Sequence, residues 1–207
     1  MHIKQRGIWT DSCCRYRWPF WDCRKDEMRM FGKGDYVVYG STGVCRIEDI
    51  TVMDMEGVPK DRLYYLLCPL GQMGGRIFTP VDNPKAAMRG VLVREEALSL
   101  LEDIPEIEEV VVPNIKLREE KYKECARSGD SRDWVKIIKT LYLKRQKRIR
   151  EGKRLPASDE RYLKMAEENL FTELSVVFGE TQEEAERRVA ERMLAECADK
   201  SHQMAEM

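Results

Sequence analysis

Histidine is nearly missing from this 207-residue chain, and its two copies, His2 and His202, stand at the ends. A Ser-His or Cys-His pair in the body therefore has no base to activate its nucleophile. Phosphate-loop chemistry is missing too. Gly71-Gln72-Met73-Gly74-Gly75 is glycine-rich, but no Gly-Lys-Ser/Thr follows it and no helix pattern succeeds it, so it reads as a hairpin connection. No apolar run approaches the ~18 residues of a membrane span. The N-terminus is basic and aromatic, without the apolar core and small-residue cleavage site of a signal peptide. Cysteine is not scarce, but the seven copies make an odd number. Cys45 and Cys68 fall in apparent strands, Cys125 and Cys197 in apparent helices, where cysteine acts as a small hydrophobe. That suits a reducing compartment. Cys13, Cys14 and Cys23 lack the Cys-x2-Cys spacing of structural zinc. Carboxylates share helix faces with basic residues, the pattern of solvated ion pairs. The expectations are a cytoplasmic protein with no membrane contact, no metal, no cofactor and no enzymatic activity.

What is present is charge, unevenly placed. Charged residues make up 35% of the chain, and the net charge is only −1. Residues 114–154 hold fifteen Lys/Arg against six Asp/Glu, a balance of +9. Residues 155–207 hold six against thirteen, a balance of −7. A neutral protein with one basic segment still presents a local field to nucleic acid. The plainer reading is a solvated helix face.

The order of patterns divides the chain. Residues 1–29 carry Trp9, Trp18 and Trp21 without helical or strand period, and read as a disordered extension. Tyr36-Val37-Val38-Tyr39 is a β-branched and aromatic strand. Gly40-Ser41-Thr42-Gly43 is a turn with two residues tolerant of positive φ. Strands are expected over Val44 to Met53, Arg62 to Cys68 and Arg76 to Val81, with a short one over Gly90 to Val93. This spacing suggests a small, strongly bent antiparallel sheet or partial barrel. From Arg94 the period is helical. Helices are expected over Arg94 to Glu102 and Lys116 to Arg127, the second stopped at Ser128-Gly129-Asp130. A third is capped by Ser131, with Trp134, Ile138, Leu141 and Tyr142 on its apolar face. A fourth is capped near Ser158 and ended by Gly179. Thr181-Gln182-Glu183-Glu184 fits a capping box for the last. The division expected is an extension over 1–29, a β-domain over 30–83, a connecting segment with one helix over 84–113, a helical domain over 114–200 and a tail over 201–207.

The opening strands also carry a resemblance. Gly34-Asp35-Tyr36-Val37-Val38-Tyr39, Gly43-Val44, Tyr64-Tyr65-Leu66-Leu67 and Pro80-Val81-Asp82-Asn83 follow in order. Arg118 with Tyr122-Lys123, Ser128-Gly129-Asp130, Leu141-Tyr142, and Ala166-Glu167 through Glu173-Leu174 continue it. Together they resemble the CarD/CdnL bacterial transcription factors across residues 30–198. The resemblance implies an α+β chain: a small Tudor-like antiparallel β-barrel, shared with the transcription-repair coupling factor, followed by an all-α helical domain. It implies a monomer that docks on the RNA polymerase β subunit partly through an exposed strand. The helical domain would contact promoter DNA at the upstream edge of the bubble and stabilise the open complex. An exposed sheet edge offers unpaired backbone groups to a partner, and basic helices supply phosphate contacts without reading sequence.

Residue by residue, the family's minor-groove wedge Trp falls at Ile115, which can also wedge between base steps. Lys116, Arg118, Lys121, Lys123, Lys144, Arg145, Lys147 and Arg148 are the phosphate candidates. Arginines that meet polymerase in some members fall at Met53 and Phe78, with Arg76 nearby on the same strand. Trp134 sits in an apolar stripe and reads as core. The alternative is a module that docks on polymerase without touching DNA.

Overall fold

The computed structural model describes residues 31–53, 62–71, 75–83, 88–111 and 115–205. Side chains are not described for Ile115, Lys116 and residues 194–205. The extension over 1–29, with its cysteine triplet, lies outside the described residues.

Five strands come first: β1 (Tyr36–Tyr39), β2 (Gly43–Val52), β3 (Leu63–Pro69), β4 (Ile77–Pro80) and β5 (Met88–Gly90). All pairings are antiparallel, and the order across the sheet is β4-β3-β2-β1-β5. The expected barrel is not confirmed, because the sheet is open, with β4 and β5 at opposite edges. The fifth strand lies at Met88–Gly90, earlier than its apolar neighbours suggested, and pairs with β1. The sheet therefore runs past residue 83, the end expected for the β-domain.

Gly40 and Gly43 bracket a one-turn 3-10 helix between β1 and β2, at φ 46° and 84°. At Gly43 the positive φ is one constraint and space is another. A Cβ there would sit 2.1 Å from Asn169 Oδ1.

Five helices follow: α1 (Arg94–Asp103), α2 (Ile115–Ser128), α3 (Ser131–Arg150), α4 (Ala157–Phe178) and α5 (Gln182–Ala205). Helix α5 runs through residues 201–205, so the expected tail is mostly helix. Two caps differ from expectation. Asp130, not Ser131, caps α3, its carboxylate accepting from Arg132 N at 2.8 Å. Ser158 lies inside α4, whose N-cap is Pro156. The α5 capping box forms as expected: Thr181 N donates to Glu184 Oε2 and Glu184 N to Thr181 Oγ1.

Two apolar cores result. Val37, Cys45, Ile47, Tyr65 and Leu67 pack on one face of the sheet, with Phe31, Tyr39, Ile50 and Ile77 around them. Burial pushes the Cys45 thiol up to about 12. The second core joins α1 to α5, and Val38 and Val44 enter it from the opposite face of the sheet. Trp134 is fully buried there, so its reading as core holds.

Candidate partner and nucleic-acid interfaces

The four-residue strand β4 is one edge of the sheet, and no strand pairs with its outer side among the described residues. Along it the side chains alternate, as any strand's must. Ile77 packs on the sheet core and Thr79 is buried, so Phe78 points the other way and is 45% exposed. Phe78 stands opposite Leu66 on β3, which stands opposite Asp49 on β2. Val38 and Val44 are covered by helices on that same face of the sheet. The end near Phe78 carries no such cover among the described residues.

Arg76 precedes β4. Its Nε lies 3.4 Å from Glu48 Oε2. Glu48 sits where the β2–β3 register shifts, between Ile47 and Asp49. A bulge of this kind re-aims one side chain out of the alternation. Met53 directly follows β2 and is half-buried. Two carboxylates on this module are held by cations: Arg62 hydrogen-bonds Asp82 and Lys33 hydrogen-bonds Asp49, and each bond holds its carboxyl below the usual range.

At the opposite edge, β5 locks to the helices. Glu173 on α4 is completely buried. Its Oε1 accepts from Arg89 Nη1 at 2.5 Å and from Leu92 N at 3.0 Å. Its Oε2 accepts from Arg89 Nη2 at 3.0 Å and from Ser131 Oγ at 2.6 Å. Arg89 also donates through Nε to Gly129 O at 2.7 Å, and its guanidinium lies 5.8 Å from the Trp134 ring. A buried charge is tolerable only when its lone pairs are filled in this way. Gly129 itself, at φ 69°, lies against Val38 and Gly40. The hairpin turn and the Ser128-Gly129-Asp130 motif are therefore two sides of one junction. Arg89 belonged to no motif, and its role was missed.

The basic residues separate into inner and outer sets. Lys139 is buried and donates to the carbonyls of Ile104, Pro105 and Ile107, closing the turn after α1. Arg118 on α2 and Lys144 on α3 both turn to Asp159, in the first turn of α4. Arg118 Nη1 lies 3.9 Å from Asp159 Oδ2, and Lys144 hydrogen-bonds that same oxygen. Lys121 pairs with Glu124 at 2.8 Å on the surface, and that bond raises its ammonium above the ordinary lysine range. Arg148 donates to Arg154 O at 2.6 Å, bracing the α3–α4 turn. Lys123, Arg145 and Lys147 are exposed, and Lys147 has no ion pair among the described residues. Ile115 and Lys116 open α2.

The five basic residues that end α3, Lys144, Arg145, Lys147, Arg148 and Arg150, thus meet different fates. Several sit at the negative end of the helix dipole, which favours cations there without any ligand. Among the described residues, no helix is long and apolar enough to cross a membrane.

The family comparison falls on the sheet. Residues 31–92 match the model of the CarD-like/TRCF RID domain. No curated protein matches the chain. The matched stretch spans β1 to β5 and ends at Leu92, whose N–H is bonded to Glu173. Residues 31–92 are a CarD-like RNA polymerase-interacting domain.

Proposed function

We propose that this chain is a non-enzymatic transcription regulator that docks on the RNA polymerase β subunit through the β4 edge and contacts promoter DNA through its helices, stabilising the open complex. The observation that carries the reading is the match to a polymerase-interacting domain whose β4 edge, unpaired on its outer side among the described residues, stands across the sheet from the helical junction. Four strand spacings separate β4 from β5, ~19 Å along the sheet. A partner strand added at β4 would not collide with the Arg89–Glu173 junction. Phe78, Arg76 and Met53 are the docking residues. Lys121, Lys123, Arg145, Lys147 and Arg148 supply phosphate attraction, and Ile115 with Lys116 stands at the wedge position.

The test is capture of the β subunit by the full chain. Phe78→Asp changes a side chain that is 45% exposed and outside the buried cores, so the chain should stay folded, as circular dichroism checks, and lose capture. Undiminished capture removes β4 as the docking edge.

A second reading, docking without DNA contact, draws support from the pairing of Arg118 and Lys144 with Asp159. Binding of forked promoter DNA separates the two. A log–log salt slope of about −0.9 per phosphate contact supports the first reading, and salt-independent or absent binding supports the second.

A further inference from the structure

Among the ionic groups of the helical module, one carboxylate is placed unlike the rest. The Asp159 side chain is 8% exposed, yet two cations from different helices converge on it. Arg118 comes from α2 and Lys144 from α3, with side chains 26% and 25% exposed. Asp159 also lies in the first turn of α4, where the helix dipole favours an anion. Three sources of positive potential thus meet at one oxygen-bearing group. The charges could otherwise serve a phosphate, since Arg and Lys bind phosphate and carboxylate by the same donors. Neighbouring acids do not share this position. Glu160, the next residue, is exposed and has no ion pair among the described residues.

We infer that Asp159 is an internal counter-ion that withholds Arg118 and Lys144 from DNA and thereby sets the nucleic-acid affinity of the helical module below what its basic composition would give. The inference rests on the DNA-binding reading above and sharpens it. Affinity for any phosphate backbone grows with each cation released to it, without regard to sequence. A factor brought to promoters by polymerase gains selectivity when its own non-specific DNA binding is held down. Asp159 acts through its neighbours, as a positioning residue, and touches no DNA itself.

Asp159→Asn keeps the shape and removes the charge. Glu160→Gln removes the same charge one residue away and serves as the control for net charge. Binding of one plain duplex and one forked duplex is measured against salt concentration, with the full chain. The expected result is a slope steeper by ~1–2 in Asp159→Asn and by less than ~0.5 in Glu160→Gln. Each cation released should tighten binding ~8-fold at 0.1 M relative to 1 M salt, by the same law, equally on both duplexes. Lys144→Ala should leave the slope where it is, because Lys144 already has its anion.

Lys147→Ala tests the parent reading separately and should reduce the slope by ~0.9. The inference is overturned if Lys144→Ala reduces the slope by ~0.9, or if Asp159→Asn is no steeper than Glu160→Gln. Circular dichroism reports whether Asp159→Asn folds; if it does not, the Lys144→Ala slope decides. Should the wild-type chain bind no DNA, the parent reading fails. Binding gained by Asp159→Asn alone would still establish the withheld cations, and none gained would dismiss them.

Discussion

The sheet and the helices meet the burial requirement in different ways. Among the described residues the sheet's own apolar cluster has five buried side chains, whereas the helical cluster has twenty-two, two of them Val38 and Val44 lent by the sheet. A core so small rarely holds a module alone, since small domains bury a lower fraction of their surface. The sheet instead leans on the helices along one side. Its β5 edge is fixed by Arg89 and its hairpin turn by Gly43 and Gly129. At the opposite edge Phe78 is exposed, with no helix over it among the described residues. The helices hold the sheet along one edge, and β4 lies at the other. A fragment ending at residue 83 lacks the β5 partner of β1.

The strongest way to break this comparison is at Glu173. Glu173→Ala removes the acceptor of four hydrogen bonds and leaves Arg89 facing a buried void. Removing one partner of a buried pair costs ~3–5 kcal/mol. Arg89 is about one-third exposed, so the lower end, ~3 kcal/mol, is expected in urea unfolding. The two cores have their own reporters. Cys45 lies in the sheet core and Cys125 in the helical core, both buried. Alkylation requires a thiolate and access, so each labels only when its surroundings open. In Glu173→Ala, Cys45 should label well before Cys125. Equal rates would mean that the modules open as one unit and that the junction is not the seam.

A smaller effect is expected at Gly43. Gly43→Ala must adopt a φ of 84° and place a methyl 2.1 Å from Asn169 Oδ1. Strain of this kind costs ~1–3 kcal/mol. Adding Asn169→Ala opens the space but leaves the φ unchanged. The double variant should therefore regain about half of the loss, a coupling of ~1 kcal/mol, within the range for residues in contact. Full recovery would assign the cost to crowding alone. No recovery would assign it to the backbone.

Much of the fold was legible in the sequence because it depends on local rules. The β1–β2 turn needed two residues at positive φ, and Gly40 and Gly43 stand there. Gly179 ends α4 in the left-handed region, and Thr181 with Glu184 closes the capping box of α5. The junction was less legible, because its partners are far apart in the chain. Arg89 and Glu173 are separated by 84 positions. Ser131 and Asp130 are adjacent and both suit a cap. Only the structure shows that Asp130 takes the cap while the Ser131 hydroxyl goes to Glu173. The basic tract was the hardest part. Composition counts Lys139, Lys144 and Lys147 alike, but the helix turns Lys139 inward to three carbonyls, Lys144 to Asp159 and Lys147 to solvent. Strand count and spacing suggested a bent sheet or partial barrel and the resemblance a Tudor-like barrel, and neither tells a closed sheet from an open one.

The smallest predicted effect compares two carboxylates of the sheet with Glu167 of the helices. Asp49 and Asp82 on the sheet are held below the usual range by hydrogen bonds from Lys33 and Arg62. Their contribution to stability is present above the unfolded value and is lost as pH falls through the folded one. Glu167 on α4 has the opposite sign. Burial raises its carboxyl above the usual range, Glu186 on α5 raises it further, and Arg145 on α3 partly opposes them. The folded chain therefore holds this proton more tightly than the unfolded chain. Stability from Glu167 is present below the unfolded value of ~4.3 and is lost as pH rises through the folded one. At neutral pH its ionised form is a cost. Glu167→Gln should accordingly raise the thermal midpoint at pH 7.5, and the gain should disappear by pH 4. A gain that persists at pH 4 would trace to packing. A loss at pH 7.5 would mean that attraction to Arg145 outweighs burial, and that Glu167 is held as a paired carboxylate, as Asp49 and Asp82 are.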